Sequence, residues 1–241
     1  MATGLGHVVE IRSWEGAEGA GLRSAYIACR PEFFPSPGEY LITAPVLKPG
    51  LEDEFPVLAD AVFLGPAPGG PRQDLPSGFW AGPPVPNYWL PGINVHLRGP
   101  SGNGFHLPHE ARRIALADAG GGSGPLLALA WLALQKNCSV VYFGSLEDPA
   151  QLPSAVEAYP LESLGDVRDW ADYLAVAVPL EAFPDLSLIL DLGVKTRPGL
   201  PIEVLVRAPM PCGGTAGCGV CAFQRGRERL LACEDGPVIR Y

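Results

Sequence analysis

The 241-residue chain lacks several features that would assign it to a common class. It has no apolar run of about 18 residues or more, so the sequence predicts no membrane-spanning helix. Its N-terminus has no basic segment followed by an apolar stretch, and we therefore expect no secretory signal peptide. Cations are few, since 17 Lys and Arg stand against 26 Asp and Glu, a formal net charge of −9. This balance disfavours nucleic acid and anionic membranes as the main partners.

Catalytic patterns are also missing. We find no Ser-His-Asp arrangement, no phosphate-binding P-loop and no pair of carboxylates at an informative spacing. Catalytic chemistry of those kinds is therefore expected to come from a partner protein rather than from this chain.

Cysteine is the residue type that stands out, because four of the six cysteines lie near the C-terminus. They are Cys212, Cys218, Cys221 and Cys233, with the spacing C-x5-C-x2-C-x11-C. Four thiolates hold a [2Fe–2S] cluster, and a C-x4-C-x2-C loop with one distant Cys is a known spacing for it. Here the first gap is one residue longer. Glycines fill the loop and permit the tight turns that wrapping a cluster requires.

Two other uses of these thiols remain open at this point. A structural zinc ion is usually held by two separated C-x2-C pairs, and this stretch has one such pair. Two disulfides are arithmetically allowed as well. The spacing favours the iron–sulfur cluster over both, and clustered thiols suit a reducing cytoplasm, where we expect the protein to be.

The C-terminal stretch resembles a known family in its residues. CGGTAGCGVC at 212–221, followed by ACEDGPVI at 232–239, is similar to the cluster-binding tail of the electron-transfer subunit of dihydroorotate dehydrogenase B. That tail has a Cys-rich loop, a last Cys and an Asp-Gly-Pro-Val run, here residues 235–238. The resemblance implies that Cys212, Cys218, Cys221 and Cys233 bind a [2Fe–2S] cluster.

Two upstream segments resemble the flavin-binding barrel of ferredoxin-reductase-like flavoproteins. PSPGEY at 35–40 is similar to a turn that enters a barrel strand, and PGINVHLRGPSGNGF at 91–105 to the strand that closes the barrel. In that family an Arg-Pro-x-Ser run contacts FAD. The nearest counterpart, FPVLAD at 55–60, lacks the arginine and the serine. We expect short strands over 7–50 and a loop-dominated region over 65–92.

Residues 113–144 predict a βαβ unit. The apolar run 114–117 indicates a buried parallel strand, 125–136 a helix with Pro in its first turn, and 140–144 a second strand. A glycine turn between strand and helix would present N–H groups to a pyrophosphate. Glu147 would lie near the ribose, and with Ser145 would favour NADH over NADPH. The predicted cofactor-binding residues are Gly120, Gly121, Gly122, Ser123, Gly124 and Glu147.

This glycine turn is two residues shorter than the G-G-G-x-G-x-x-P-L turn of the family. It therefore has two interpretations, which the sequence leaves open. The turn either binds NADH or is only the tight turn of an inherited scaffold.

The predicted fold is α/β plus β. We expect an N-terminal β-barrel at 1–108, a shortened Rossmann-like domain at 109–206 and a small [2Fe–2S] domain at 207–241. The resemblance implies an oxidoreductase subunit that passes electrons between NADH, FAD, the cluster and an FMN-containing dihydroorotate dehydrogenase-like catalytic subunit. The alternatives are a flavin-free relay that keeps only the cluster, and a zinc-stabilised scaffold with no redox role.

Overall fold

The computed structural model describes residues 2–15, 21–46, 59–66, 74–82, 84–145, 152–167, 169–189 and 199–241. Within these residues the chain forms two six-stranded sheets and one two-stranded hairpin. The first sheet contains β1 (Ala2–Glu15), β2 (Gly21–Ala28), β3 (Tyr40–Pro45), β4 (Asp60–Phe63), β5 (Gly78–Ala81) and β6 (Asn94–Ser101). The second contains β7 (Arg113–Asp118), β8 (Ser139–Phe143), β9 (Glu157–Tyr159), β10 (Tyr173–Pro179), β11 (Ile202–Arg207) and β14 (Val238–Arg240). The hairpin is β12 (Ala222–Arg225) and β13 (Glu228–Leu231). The α-helices of the described residues are α1 (Gly124–Gln135), α2 (Leu164–Val167) and α3 (Leu186–Ile189).

The first sheet is antiparallel and curls back on itself. Its strand order is β4-β3-β6-β1-β2-β5. Hydrogen bonds from Gly65 N to Trp80 O (2.9 Å) and from Gly82 N to Phe63 O (3.0 Å) connect the two edge strands. Side chains alternate between the faces, as strand geometry requires, and the inward ones form a core of their own. That core includes Val8, Ile27, Leu41, Trp89 and Leu97.

One segment differs from the sequence prediction. Residues 78–81, within the region expected to be loop-dominated, form strand β5, which pairs antiparallel with β2. Phe79, Trp80 and Ala81 are all buried there. Two neighbouring aromatic side chains fit a half-buried strand, and this preference outweighs the surrounding Gly and Pro turn residues.

The second sheet is mainly parallel, with the order β14-β11-β10-β7-β8-β9. β7 is followed by α1 and then β8, so the βαβ unit predicted for 113–144 is confirmed. This strand order brings the carboxyl ends of β7 and β10 together at the point where the order reverses, which is where Rossmann-like folds place their ligand crevice. None of the helices in the described part of the chain is long and apolar enough to cross a membrane.

The C-terminal segment packs as part of the second sheet. Its last strand, β14, pairs antiparallel with β11. Cys221, Phe223 and Cys233 belong to the same hydrophobic cluster as the strands of the second sheet. The rings of Phe183 and Phe223 meet edge to face with centroids 4.7 Å apart. Two of the four residues expected to bind the cluster, Cys221 and Cys233, are therefore held by a shared core.

A buried carboxylate ties the chain leaving the barrel to the second sheet. Glu203 on β11 has 4% of its surface exposed. Its Oε2 accepts hydrogen bonds from His106 N and from the Tyr173 hydroxyl, each 2.7 Å long. Buried polar atoms of this kind are expensive to leave without a partner. The bonds therefore fix where the segment after β6 meets β10 and β11.

Replacing Glu203 tests this connection. Glu203→Ala would leave the Tyr173 hydroxyl and the His106 amide without their acceptor. We expect the free energy of unfolding to fall by about 2 kcal/mol or more, measured by urea denaturation. Glu110→Ala, at an exposed carboxylate, is the control and should change the value by less than about 0.5 kcal/mol. Equal losses in both variants would contradict this role for Glu203.

Candidate functional site

The loop between β11 and β12 brings the cysteines together, and its backbone explains why it is rich in glycine. Gly213, Gly214 and Gly219 have φ values of 65°, 71° and 68°, in the left-handed region. Ala216 adopts a similar φ of 59°. Residues with a Cβ rarely take this conformation, whereas glycine does so readily. The loop can therefore turn several times within a few residues.

The four thiols meet as two pairs. The Sγ atoms of Cys221 and Cys233 are 3.3 Å apart, and Cys212 and Cys218 are hydrogen-bonded through their side chains. All are free thiols. The charge of Cys212 also contributes to raising the pKa of Cys233. Within the ranges that the structure describes, no three His, Cys, Asp or Glu side chains are grouped to hold a metal ion.

Backbone N–H groups of the loop point at the sulfur atoms. Those of Thr215 and Cys218 donate to Cys212, and that of Ala216 donates to Cys233. Hydrogen bonds from the Thr215 side chain and then from Cys218 lower the pKa of the Cys212 thiol to about 6. Burial, followed by the hydrogen bond with Cys221, raises the pKa of Cys233 to about 11. Negative charge at this site is therefore best stabilised on Cys212.

The cysteine loop lies against the barrel at very short range. A Cβ atom on Gly213 would be 3.0 Å from Arg98 Nη2, and one on Gly214 would be 2.9 Å from the Tyr40 hydroxyl. That hydroxyl donates a 2.9 Å hydrogen bond to the carbonyl of Cys233. Burial raises the pKa of Tyr40 to about 12. Tyr40 on β3 thus holds the backbone of the fourth cysteine.

Two segments that stood out in the sequence lie side by side in the structure. Asn103, just after β6, donates through its backbone N to Gly236 O (2.7 Å) and through Nδ2 to Asp235 O (2.9 Å). Asp235 in turn accepts a 2.7 Å bond from Leu231 N. Gly102 is needed because a Cβ there would lie 2.5 Å from Pro237 Cδ. The barrel-closing segment therefore positions the Asp-Gly-Pro-Val run.

An open cavity of about 610 Å³ adjoins the cysteine loop, and we call it the cysteine-loop cavity. Its wall includes Ile42, Ala59, Arg98 and Cys212. The Arg98 Nε atom is buried there without a hydrogen-bond partner. The volume is in the range of small-molecule sites, which typically combine apolar walls with a few polar groups.

A second cavity of about 630 Å³ is lined in part by the short segment Ala59–Ala61. It is bounded by Asn87 from the barrel side and by Glu181, Arg207 and Met210 from the second sheet. Ala59, in the nearest counterpart of the Arg-Pro-x-Ser run, lines both cavities. Residues 55–58 of that counterpart lie outside the described residues.

The predicted glycine turn lies between β7 and α1, at the carboxyl end of β7. A residue that the sequence analysis missed occupies it. Asp118, the last residue of β7, accepts hydrogen bonds at Oδ1 from Gly120 N (3.0 Å) and Gly122 N (3.1 Å). Its Oδ2 accepts a 3.2 Å bond from the Tyr142 hydroxyl. A carboxylate at a strand end, two residues before the first glycine, was the only sequence feature that could have indicated this.

The rest of the turn is packed against the second sheet. Arg207 Nη1 donates a 3.1 Å bond to Gly121 O, and a Cβ on Gly121 would be 2.3 Å from Val178 N. Burial raises the pKa of Asp118, opposed by the turn amides, Tyr142 and Arg207. Ser123 and Gly124 are buried at the start of α1. Of the predicted cofactor residues, Glu147 lies outside the described residues.

A curled antiparallel sheet followed by a Rossmann-like sheet defines the ferredoxin-reductase-like class, and solved structures of that class match this chain. The NADH-dependent reduced ferredoxin-NADP oxidoreductase matches with a TM-score of 0.68 at 14% identity, over 99% of this chain and 89% of that chain. The ferredoxin reductase in carbazole 1,9a-dioxygenase matches with a TM-score of 0.58 at 15% identity, over 87% of this chain and 68% of that chain. A ferredoxin NADP+ reductase from Neisseria gonorrhoeae with bound FAD and NADP matches with a TM-score of 0.55 at 11% identity, over 85% of this chain and 98% of that chain. At these identities the likeness concerns the fold.

Sequence comparison narrows the class and confirms the resemblance inferred from the motifs. The dihydroorotate dehydrogenase B electron transfer subunit of Clostridium acetobutylicum is 24% identical over 159 residues, which cover 61% of this chain and 63% of that protein. The probable counterpart from Pyrococcus furiosus is 26% identical over 166 residues, 61% and 62% of the two chains. The match thus spans less than two thirds of the length of these relatives. No protein-family model matches the chain.

The tight packing of the glycine turn yields a prediction. Gly121→Ala would drive a Cβ into the backbone of β10, which cannot move as a side chain can. We expect a loss of about 3 kcal/mol in the free energy of unfolding, or little folded protein. Gly217→Ala is the matched control, because its Cβ would meet only Thr215 Oγ1, at 3.7 Å. A Gly121→Ala protein as stable as Gly217→Ala in thermal and urea denaturation would contradict the observed packing.

Proposed function

We propose that this chain is an electron-transfer subunit that relays electrons through a [2Fe–2S] cluster bound by Cys212, Cys218, Cys221 and Cys233. The observation on which the proposal depends is that four free thiols form two pairs, with three of the cysteines in a glycine-rich loop and the fourth just after β13. The similarity to relatives that are named electron-transfer subunits supports it.

The donor set fits this cluster. Four cysteine thiolates are its usual ligands, and two pairs of thiols supply two ligands for each iron. When bound, the cluster would exchange one electron at a time. The backbone N–H groups of Thr215, Ala216 and Cys218 already point at sulfur, and such bonds stabilise thiolate charge and influence the reduction potential. Tyr40 would keep the Cys233 backbone in register.

The position of the thiols suits transfer to another protein. Cys221 and Cys233 are buried, whereas Cys218 and the neighbouring Val220 are exposed. The surface beside Cys218 is therefore the shortest way out of the site. By analogy with the relatives, the partner is an FMN-containing catalytic subunit of the dihydroorotate dehydrogenase type, and the complex acts in the cytoplasm.

A second candidate, a relay that also contains FAD, is favoured by the cysteine-loop cavity. The cavity borders Cys212, has the volume of a small-molecule site and is lined by Arg98, whose buried Nε has no hydrogen-bond partner. A flavin ring placed there would lie next to the cluster. The proposal assigns no role to NADH at the glycine turn, because Asp118 already uses the N–H groups of Gly120 and Gly122.

The first experiment is purification under anaerobic conditions, followed by absorption spectra and quantification of iron, sulfide, zinc and flavin. Two iron and two sulfide ions per chain would support the relay, and FAD in addition would support the second candidate. Iron and sulfide without flavin would select the flavin-free relay. Zinc alone, or no metal, would overturn the redox function.

Single cysteine replacements test which thiols bind the cluster. Cys221→Ser and Cys233→Ser should each lose most of the iron and sulfide, because serine is a poor ligand for a soft iron–sulfur centre. Cys29→Ser and Cys138→Ser are matched controls at the two cysteines outside the loop, and they should retain the full content. Loss of iron in a control, or its retention in both loop variants, would count against the assigned ligands.

The flavin-containing candidate has its own test. Arg98→Leu removes the polar group that lies unpartnered in the wall of the cysteine-loop cavity. We expect the ratio of flavin to iron to fall by about tenfold, the loss expected when a charged hydrogen bond disappears. Arg112→Leu, at an exposed arginine that contacts neither cavity, should leave the ratio unchanged. An unchanged ratio in Arg98→Leu would exclude flavin binding through this side chain.

A further inference from the structure

We infer that the glycine turn between β7 and α1 is closed to dinucleotides, because the carboxylate of Asp118 occupies the place that a pyrophosphate would take. The inference goes beyond the proposed relay. If it is correct, NADH does not bind at the glycine turn, which is where a Rossmann-like fold would bind it. This holds whether or not the chain contains a cluster.

A pyrophosphate at such a turn binds through backbone N–H groups that have no other partner. The two glycines with positive φ, Gly120 and Gly122, supply such groups, with φ values of 90° and 97°. Both N–H groups instead donate to a single oxygen, Asp118 Oδ1. A carboxylate is an acceptor-only anion, as a phosphate is, so it satisfies the same donors. The Asp118 carboxylate therefore takes the place of a bound anion at this turn.

The other side of the turn is covered by a cation. Arg207 donates to Gly121 O and lies so close that a Cβ on Gly122 would be 2.3 Å from its Nη1 atom. Its guanidinium also stacks over the ring of Phe63, 5.6 Å from the centroid. The Arg207 guanidinium, whose positive charge could balance a pyrophosphate, is thus already hydrogen-bonded to the turn and packed against Phe63 of the barrel.

The space and the remaining donors are limited as well. The turn is two residues shorter than the G-G-G-x-G-x-x-P-L turn of ferredoxin-reductase-like proteins. Gly121 also lies directly against the backbone of β10. Ser123 is 3% exposed, and Pro125 in the first turn of α1 has no N–H to offer. An entering pyrophosphate would have to displace a like-charged carboxylate that three donors hold, with Tyr142 as the third.

The test compares the wild type with two variants of Asp118. Asp118→Asn keeps an oxygen that can accept from both glycine amides, whereas Asp118→Ala frees the amides and removes the charge. Binding of inorganic pyrophosphate and of NADH is measured by titration calorimetry. We expect no saturable binding in the wild type or Asp118→Asn. In Asp118→Ala we expect saturable pyrophosphate binding, at least about tenfold tighter than the detection limit set by the wild type, since two hydrogen-bond donors become available.

Three outcomes decide the question. A folded Asp118→Ala protein, checked by circular dichroism, that gains no pyrophosphate affinity would overturn the inference. Saturable NADH binding to the wild type that weakens in Arg207→Gln would also overturn it, because the ligand would then occupy the turn. NADH binding that Arg207→Gln leaves unchanged would place the dinucleotide elsewhere and support the closed turn. None of these measurements depends on the cluster, so a metal-free protein would defeat the proposed relay and leave this test intact.

Discussion

The contact between the cysteine loop and the barrel is the constraint on which the rest of the site depends. Gly213 and Gly214 approach Arg98 and Tyr40 closely enough that a Cβ on either glycine would lie within about 3.0 Å of them. The Tyr40 hydroxyl then bonds the carbonyl of Cys233, almost two hundred residues away in the chain. The β12–β13 hairpin holds Cys221 beside Cys233, and the contact with the barrel fixes the position of both relative to the first sheet.

The two glycine-rich segments of the chain show what a sequence pattern can and cannot predict. The first was expected to turn tightly around a cluster, and the second to present N–H groups to a pyrophosphate. In the cysteine loop, the N–H groups of Thr215, Ala216 and Cys218 point at thiol sulfur, as such a site requires. In the turn after β7 the N–H groups point at Asp118, a side chain of the same segment. Glycine permits the backbone conformation of both segments. Which acceptor the N–H groups of each segment bond to depends on the side chains nearby.

Much of the fold could be predicted because local patterns and burial agree. The strands β7 and β8 and the helix between them follow from continuous apolar runs separated by a glycine turn. Strand β5 could not be found in this way, because its four residues are surrounded by Gly and Pro. The network around Glu203 was equally hidden, since its partners His106 and Tyr173 are about 100 and 30 residues away. Contacts across such separations leave no local periodicity.

The terminal strand β14 has a consequence for the sheet as well as for the cysteines. It pairs with β11 and forms the edge of the second sheet, so the edge of β11 is not left open to other chains. The same short stretch, from Asp235 to Val238, is bonded to Asn103 and follows directly on the last cysteine of the loop. Separation of β14 from β11 would thus expose the β11 edge and also pull on the stretch that Asn103 holds two residues beyond Cys233. The order of the cysteine site and the protection of the sheet against mispairing therefore depend on the same few residues.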